Sequence, residues 1–219
     1  MAFDHCTEKM LRRIAAGPAA VLAAVLAMFA PAALQAALPT SPEVSGRTSL
    51  AGEFLIAAPQ MRDPFDHAVI LMAQHTRDGA LGIVINLPLD TRPIADLLRA
   101  LGGDAGGITD SVRLYLGGPV SPHIAFVVHS AEYRRDNTLD IDGHVALSDA
   151  ADVLRDIALR QGPKKSLVAL GYAGWAPSQL EDEIARGAWV TVAEDPALVF
   201  DDDRAKVWSD ALALAKNER

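Results

Sequence analysis

Between Ser166 and Trp189 the chain reads SLVALGYAGWAPSQLEDEIARGAW, and this stretch limits the fold more than any other. Leu167 to Leu170 is an apolar run of strand length, suited to burial on both faces. Gly171 and Gly174 follow. Glycine tolerates positive φ, so a tight turn carrying Tyr172 and Trp175 is expected there. Ser178 and Glu181 have capping-box spacing and start a helix whose Leu180 and Ile184 form the apolar stripe. Asp182 and Arg186 stand four apart, where opposite charges pair. Gly187 stops the helix, and Trp189 to Val192 opens another strand. Strand, turn, helix and strand in such quick succession require a sheet with a helix packed on it.

The preceding chain supplies that sheet. Glu53 to Ala57 is a strand candidate closed by Pro59, and Ala68 to Ala73 is another. The turn HTRDG, built on Asp78-Gly79, leads into ALGIVIN ending at Asn86, so a hairpin buried on both faces is expected. Pro88 and Pro93 bracket its exit, and Ile94, Leu97, Leu98 and Leu101 mark one face of a short helix. The following GGDAGG lacks the Lys-Ser/Thr ending of a phosphate loop and follows a helix, so it reads as a plain loop. Strands are expected at 112–116, 124–129 and 144–147, with residues 133–142 a polar loop between the last two. Ser148 is positioned to cap a helix carrying Val153, Leu154, Ile157 and Ala158, which Gly162-Pro163 ends. Asp195-Pro196 opens a short helix through Phe200. Asp203 is placed to cap the last helix, whose Val207, Trp208, Leu212 and Leu214 seek the core.

About eight short strands and four or five helices, mixed in order, describe an α+β (mixed α/β) single domain. At 219 residues, half of them apolar, the chain can bury one substantial core.

Residues 1–47 have a different character. Arg12-Arg13 precedes an apolar stretch from Ile14 to Ala30, and small residues around Ala36 offer a cleavage point, as in a secretory signal peptide spanning 1–36. Two other readings stand beside it. One is a retained anchor, interrupted by Gly17, Pro18 and Pro31. The other is translation from Met28. Residues 37–47 then form a linker, and the domain spans 48–219. The leader implies a periplasmic or envelope location; a start at Met28 leaves the protein in the cytoplasm. Contact with a membrane is expected only through an uncleaved leader.

Lys and Arg number 20 against 28 Asp and Glu, a net charge of −8 that repels phosphate backbones. Arg12-Arg13, Arg134-Arg135 and Lys164-Lys165 are the only basic doublets, and scattered doublets do not make a nucleic-acid footprint. Cys6 is the one cysteine, so no disulfide framework or thiolate zinc site exists within the chain.

No nucleophile elbow, zinc-protease helix, phosphate loop or dinucleotide fingerprint appears, so no cofactor and no catalytic set is expected. Isolated polar residues at strand ends remain. His75 and His129 have the residue chemistry of a general base or metal ligand, and equally that of histidines bonded to a turn. A metal set of His75, His129 and Glu183 has no supporting local spacing. Gln179 and Glu183 share one helical face and can look into a cleft beside Tyr172 and Trp175. They equally suit an acidic first helical turn facing solvent. Gly117, Gly118 and Pro119 form either an anion-binding turn or a close approach of two strands. The candidate binding residues are therefore His75, Asn86, Gly117, Gly118, Pro119, His129, Tyr172, Trp175, Gln179 and Glu183. Their partner, a small molecule or a protein, is not specified by the residues. A hydrolase using His75 with Asn86 or Glu183 is the competing expectation.

Three separated segments, FLIAAPQMRDPFDHAVILMAQHTRDGALGIVINLPL, YLGGPV and LVALGYAGWAPSQLEDEIARGAWV, resemble the YqgE/AlgH family of bacterial proteins over about residues 48–212. The resemblance implies a flattened, barrel-like sheet packed by helices and, for part of the family, a role in transcriptional regulation. It also implies a cytoplasmic location. Where the family often has Cys-Glu-His this chain has Ala73-Gln74-His75, so a thiol-based role does not carry over. Where the family often has Asn-Arg-Pro, Asn86-Leu87-Pro88 lacks the basic side chain.

Overall fold

A computed structural model describes residues 49–217, so the leader and linker expected at 1–47 lie outside the described residues. Ten strands form one sheet: β1 (Glu53–Ala57), β2 (Val69–Thr76), β3 (Gly79–Val84), β4 (Pro88–Pro93), β5 (Ser111–Leu116), β6 (Val120–Ser130), β7 (Leu139–Asp140), β8 (Val145–Asp149), β9 (Ser166–Trp175) and β10 (Trp189–Ala193). Among the described residues five helices accompany them: α1 (Ile94–Ala100), α2 (Ala150–Ala158), α3 (Gln179–Ala185), α4 (Pro196–Val199) and α5 (Val207–Asn217). Among the described residues no helix is long and apolar enough to cross a membrane.

The strands run β10-β1-β2-β3-β9-β6-β8-β7, an eight-strand antiparallel path that curls into a half-barrel. β5 joins β9 in parallel and carries β4 at its edge. The fold is thus the single-domain mixed α+β architecture expected, with ten strands rather than about eight. The extra pair is β4 and β7. β4 lies where the two prolines suggested only a chain exit. β7 is a two-residue strand inside the polar excursion, paired to β8 through Leu139↔Leu147.

Strand alternation divides the core. Phe54, Ile56, Leu71, Ile83 and Val192 cluster on one face, where Val207, Ala211 and Ala215 of α5 cover them. Leu55, Ala57, Ile70, Met72 and Val84 point the other way and pack with Leu180 of α3. Ile94 and Leu98 of α1 and Val153 and Leu154 of α2 bury Leu114, Val127 and Val168 elsewhere on the sheet. The β2–β3 hairpin forms as expected, with one bulged residue, Ala73, between the Met72↔Gly82 and Gln74↔Leu81 pairs.

β9 organises the molecule in a way its glycines did not suggest. The turn expected at Gly171–Trp175 is absent, and the strand continues to Trp175. Gly171, at φ +72, is a kink within it. Before the kink Leu167 and Ala169 face the α5 side; beyond it Tyr172 faces that side, while Ala173 and Trp175 face α3. One left-handed residue has inverted the period-2 pattern, as a bulge does. β9 pairs with β5 and β6 as far as Leu170, with β6 again at Tyr172 beyond the kink, and with β3 from Ala173 to Trp175.

Two expected helix caps are not made. Ser178 adopts φ +66 and makes no side-chain cap bond, and Glu181 turns to His75 instead of back to the cap. Ser148 belongs to β8, where it bonds His129 and Thr138, and Asp149 takes the cap position of α2. Among the described residues Asp182 and Arg186 share only a backbone hydrogen bond, not the expected ion pair.

Candidate functional site

Glu183 is the polar centre of the corner where β9, α3 and β10 meet. Trp175, at the end of β9, donates its indole N–H to Glu183 Oε2 at 2.9 Å, and Trp189, at the start of β10, donates to the same oxygen at 2.8 Å. The Gln179 amide reaches Glu183 Oε1 at 3.0 Å from one helical turn away, while its own Oε1 accepts Ala176 N–H. A carboxylate with three donors has most of its lone-pair sites satisfied, and charge-assisted bonds of this kind are stronger than neutral ones. The two indoles meet edge to face at 6.2 Å, and Phe65 stands edge-on to Trp189 at 5.5 Å. Around this shelf, residues 176–178 and much of the 59–67 loop are exposed, and Gln60 ties that loop to the Gly187 carbonyl.

His75 adjoins the corner from β2. Its Nδ1 accepts the Leu50 N–H at 3.1 Å, so the proton sits on Nε2, which donates to Glu181 Oε1 at 3.2 Å. Both ring nitrogens are engaged. The histidine buckles the chain entering β1 and the first turn of α3 to one strand.

The other candidates lie elsewhere. Asn86 is buried beyond the end of β3, where Oδ1 accepts Val69 N–H and Nδ2 donates to the His67 carbonyl, both at 2.8 Å. His129 is fully buried on β6, bonded to Ser148 Oγ at 2.9 Å and to the Ser130 carbonyl, with Tyr133 edge-on to its ring. Burial lowers its pKa, against the raising effect of that carbonyl. His75, His129 and Glu183 do not assemble. Among the described residues only Asp142, His144 and Glu194 bring metal-binding atoms together.

Gly117 and Gly118 lie against β9. A Cβ at Gly117 would overlap the Gly171 carbonyl, and one at Gly118 would overlap the Tyr172 backbone. The Gly117 N–H bonds the Leu170 carbonyl, and Pro119 has no N–H, so this turn serves strand approach rather than presenting an anion nest. Tyr172 lies across the sheet from Trp175, edge-on to Phe126, and burial raises its phenol pKa. Trp175, Gln179 and Glu183 therefore converge, with His75 beside them through α3. Tyr172, Asn86, His129 and the glycine turn do not join them. Sequence reasoning missed Trp189, Phe65 and Glu181; a tryptophan opening a strand just after the helix was the available signal.

A curled antiparallel sheet with one parallel branch and helices on both faces places the chain among single-domain α+β proteins. The chain belongs to the AlgH-like family (DUF179), whose sequence profile matches residues 54–218. A UPF0301 protein of Methylococcus capsulatus is 40% identical over 176 residues, covering 80% of this chain and 96% of the relative. One from Jannaschia sp. is 43% identical over 166 residues, 74% of this chain and 86% of the relative. The solution structure of AlgH from Pseudomonas aeruginosa superposes with a TM-score of 0.66 at 39% identity, covering 79% of this chain and 92% of that one. A crystal structure from Corynebacterium diphtheriae, 23% identical with a TM-score of 0.59 over 84% of this chain and 92% of its own, shares the fold.

Proposed function

We propose that this chain is a non-catalytic binding or regulatory protein whose contact surface is the rim of the Trp175–Glu183–Trp189 corner. One observation carries the reading: the polar side chains there are already bonded within the fold, while the segments framing them are exposed. Both nitrogens of His75 are engaged and Glu183 accepts three donors, which leaves neither as an open base or nucleophile activator. The exposed Ala176-Pro177-Ser178 segment holds Ser178 in a left-handed conformation, the kind of local strain that gathers at functional surfaces. The occupant is a small molecule or a protein. Nucleic acid is disfavoured by the net charge and by the internal pairing of one basic doublet: Arg134 bonds Asp140 and Arg135 bonds Asp156.

Thermal-shift screening against metabolites, with pull-downs from the native host, tests the proposal. The expected result is a binder whose effect is lost on substitution of Pro177 or Gln60. An esterase or phosphatase activity that disappears in His75→Ala would replace this reading with the hydrolase. The proposed location follows the leader: the envelope if residues 1–36 are removed, the cytoplasm if translation starts at Met28. N-terminal sequencing of the native protein separates the two.

A further inference from the structure

The two ends of the sheet path meet at a place separate from the tryptophan corner. β10 begins the path and the β7–β8 hairpin ends it. The hairpin turn carries Asp142 and His144, and Glu194 follows β10. Asp142 rests on Gly52, where a Cβ would stand 3.1 Å from the Asp142 Cβ. Gly52 in turn accepts the Glu194 N–H through its carbonyl at 2.9 Å. The backbone thus holds both sheet ends together, and three side chains converge at the seam.

Glu194 is the anomaly in this group. Its side chain is only 2% exposed, and no donor lies within hydrogen-bond distance of either carboxylate oxygen. A buried carboxylate without a donor or cation is costly, so such a group ordinarily has a partner. Its polar neighbours are a second carboxylate, Asp142, and His144, whose Nδ1 lies 3.7 Å from Glu194 Oε1. Burial pushes the Glu194 pKa up to about 8, and a close carboxyl–carboxyl contact with Asp142 and the negative charges of Asp142 and Asp195 add to the shift.

We propose that Asp142, His144 and Glu194 bind a divalent first-row transition-metal ion of the zinc type, which clasps the two ends of the curled sheet. One ligand atom from each residue lies within 4.8 Å of the others. Around a tetrahedral ion at 2.0–2.2 Å, neighbouring ligand atoms stand about 3.4 Å apart, so modest closure completes the site. The groups able to move are suitably placed. The His144 imidazole is 71% exposed, while its backbone is fixed by bonds to Asp142 Oδ1 and Ala131 N–H. Asp142 Oδ1 holds the turn by accepting His144 and Val145 N–H, which leaves Oδ2 for an ion. One imidazole beside two carboxylates suits zinc, nickel or cobalt better than magnesium or calcium, which prefer all-oxygen shells. An ion here bridges the Asp142 and Glu194 carboxylates and joins hairpin to strand.

The test uses the full chain, stripped with EDTA and dialysed, then titrated with zinc chloride alone. Retained metal and melting temperature are measured for wild type, His144→Ala and Glu194→Gln. Zinc is expected to raise the wild-type melting temperature by about 5–10 °C at a hundredfold excess over Kd. His144→Ala, which removes an exposed side chain and leaves the core intact, is expected to weaken binding at least about tenfold and abolish most of the shift. Glu194→Gln is expected to do the same while matching or exceeding the metal-free stability of wild type, because its amide cannot ionise and can donate to the Asp142 carboxylate. Zinc bound by His5 or Cys6 is common to all three proteins, so the difference between them is what is read. Equal retention and equal shifts in the three proteins, or no shift in wild type at millimolar zinc, overturn the proposal.

Discussion

Trp175 donates its indole N–H to Glu183 Oε2 at 2.9 Å, joining the end of β9 to the middle of α3. Because Trp189 bonds the same oxygen from β10, one carboxylate ties a helix to two strands that are far apart in sheet order. Replacing Glu183 with Ala leaves two indole donors and the Gln179 amide without their acceptor. The expected loss is about 2–4 kcal/mol in urea denaturation, whereas Glu183→Gln, which keeps a carbonyl, should cost about 1 kcal/mol. Equal losses in the two variants would show that packing, not the hydrogen bonds, holds α3.

The glycines at the β9 kink and after α3 should divide sharply by position. Gly171 has φ +72, and a Cβ added to it would stand 2.5 Å from the Gly118 carbonyl oxygen. Gly171→Ala therefore combines strain with overlap and should cost about 3 kcal/mol or more. Gly187 also has φ +72 but has open space around it, and Gly187→Ala should cost only about 1–2 kcal/mol. Denaturant midpoints of the two variants check the ordering.

His129 makes stability fall on mild acidification. Its folded pKa lies below the ordinary 6.5 because it is buried. Above pH 6.5 the ring is neutral in both folded and unfolded chains, and its full contribution is present. As pH falls through 6.5 toward the lower folded pKa, only the unfolded chain takes up the proton, so stability is lost over that window. The slope due to this residue is at most about 1.4 kcal/mol per pH unit. His129→Gln should be less stable than wild type at about pH 7.5, and its stability should decline less on acidification to about pH 5.5. Parallel declines would assign the effect to other groups.

His75→Ala should lower stability by about 1–3 kcal/mol, since it strands the Leu50 N–H and removes a partner of Glu181. Any background esterase or phosphatase rate should be equal in wild type and variant. A rate that falls only in the variant contradicts the proposed function.

A mobility-shift assay with duplex DNA at physiological salt should be blank. The net charge is −8, and Arg134 and Arg135 are paired to carboxylates of the same chain, Asp140 and Asp156. Tight binding that weakens steeply with added salt would overturn this expectation.

Much of the architecture was legible because it follows from local rules. The β2–β3 hairpin announced itself by two apolar runs about Asp78-Gly79, and α1 and α2 by their apolar spacing. The short helix opened by Asp195-Pro196 formed as read, and the Asp195 side chain caps it by accepting Ala197 N–H. Readings failed where a residue had a distant partner to choose. Glu181 has the spacing to cap its own helix, yet a buried histidine from β2 claims it. Ser148 has the chemistry of a cap, yet the His129 ring takes its hydroxyl.

The sequence by itself determined the element types, the family and the residues able to do chemistry, because periodicity, turn chemistry and side-chain type are local properties. Only the tertiary structure decided which of those residues meet. Gly171 reads the same in a turn or a strand, but its left-handed φ inside β9 sends Tyr172 to one face and Trp175 to the other. Asp142 and Glu194 lie at opposite ends of the sheet path and meet because the sheet curls, a consequence of summed strand twist that no short window of sequence contains.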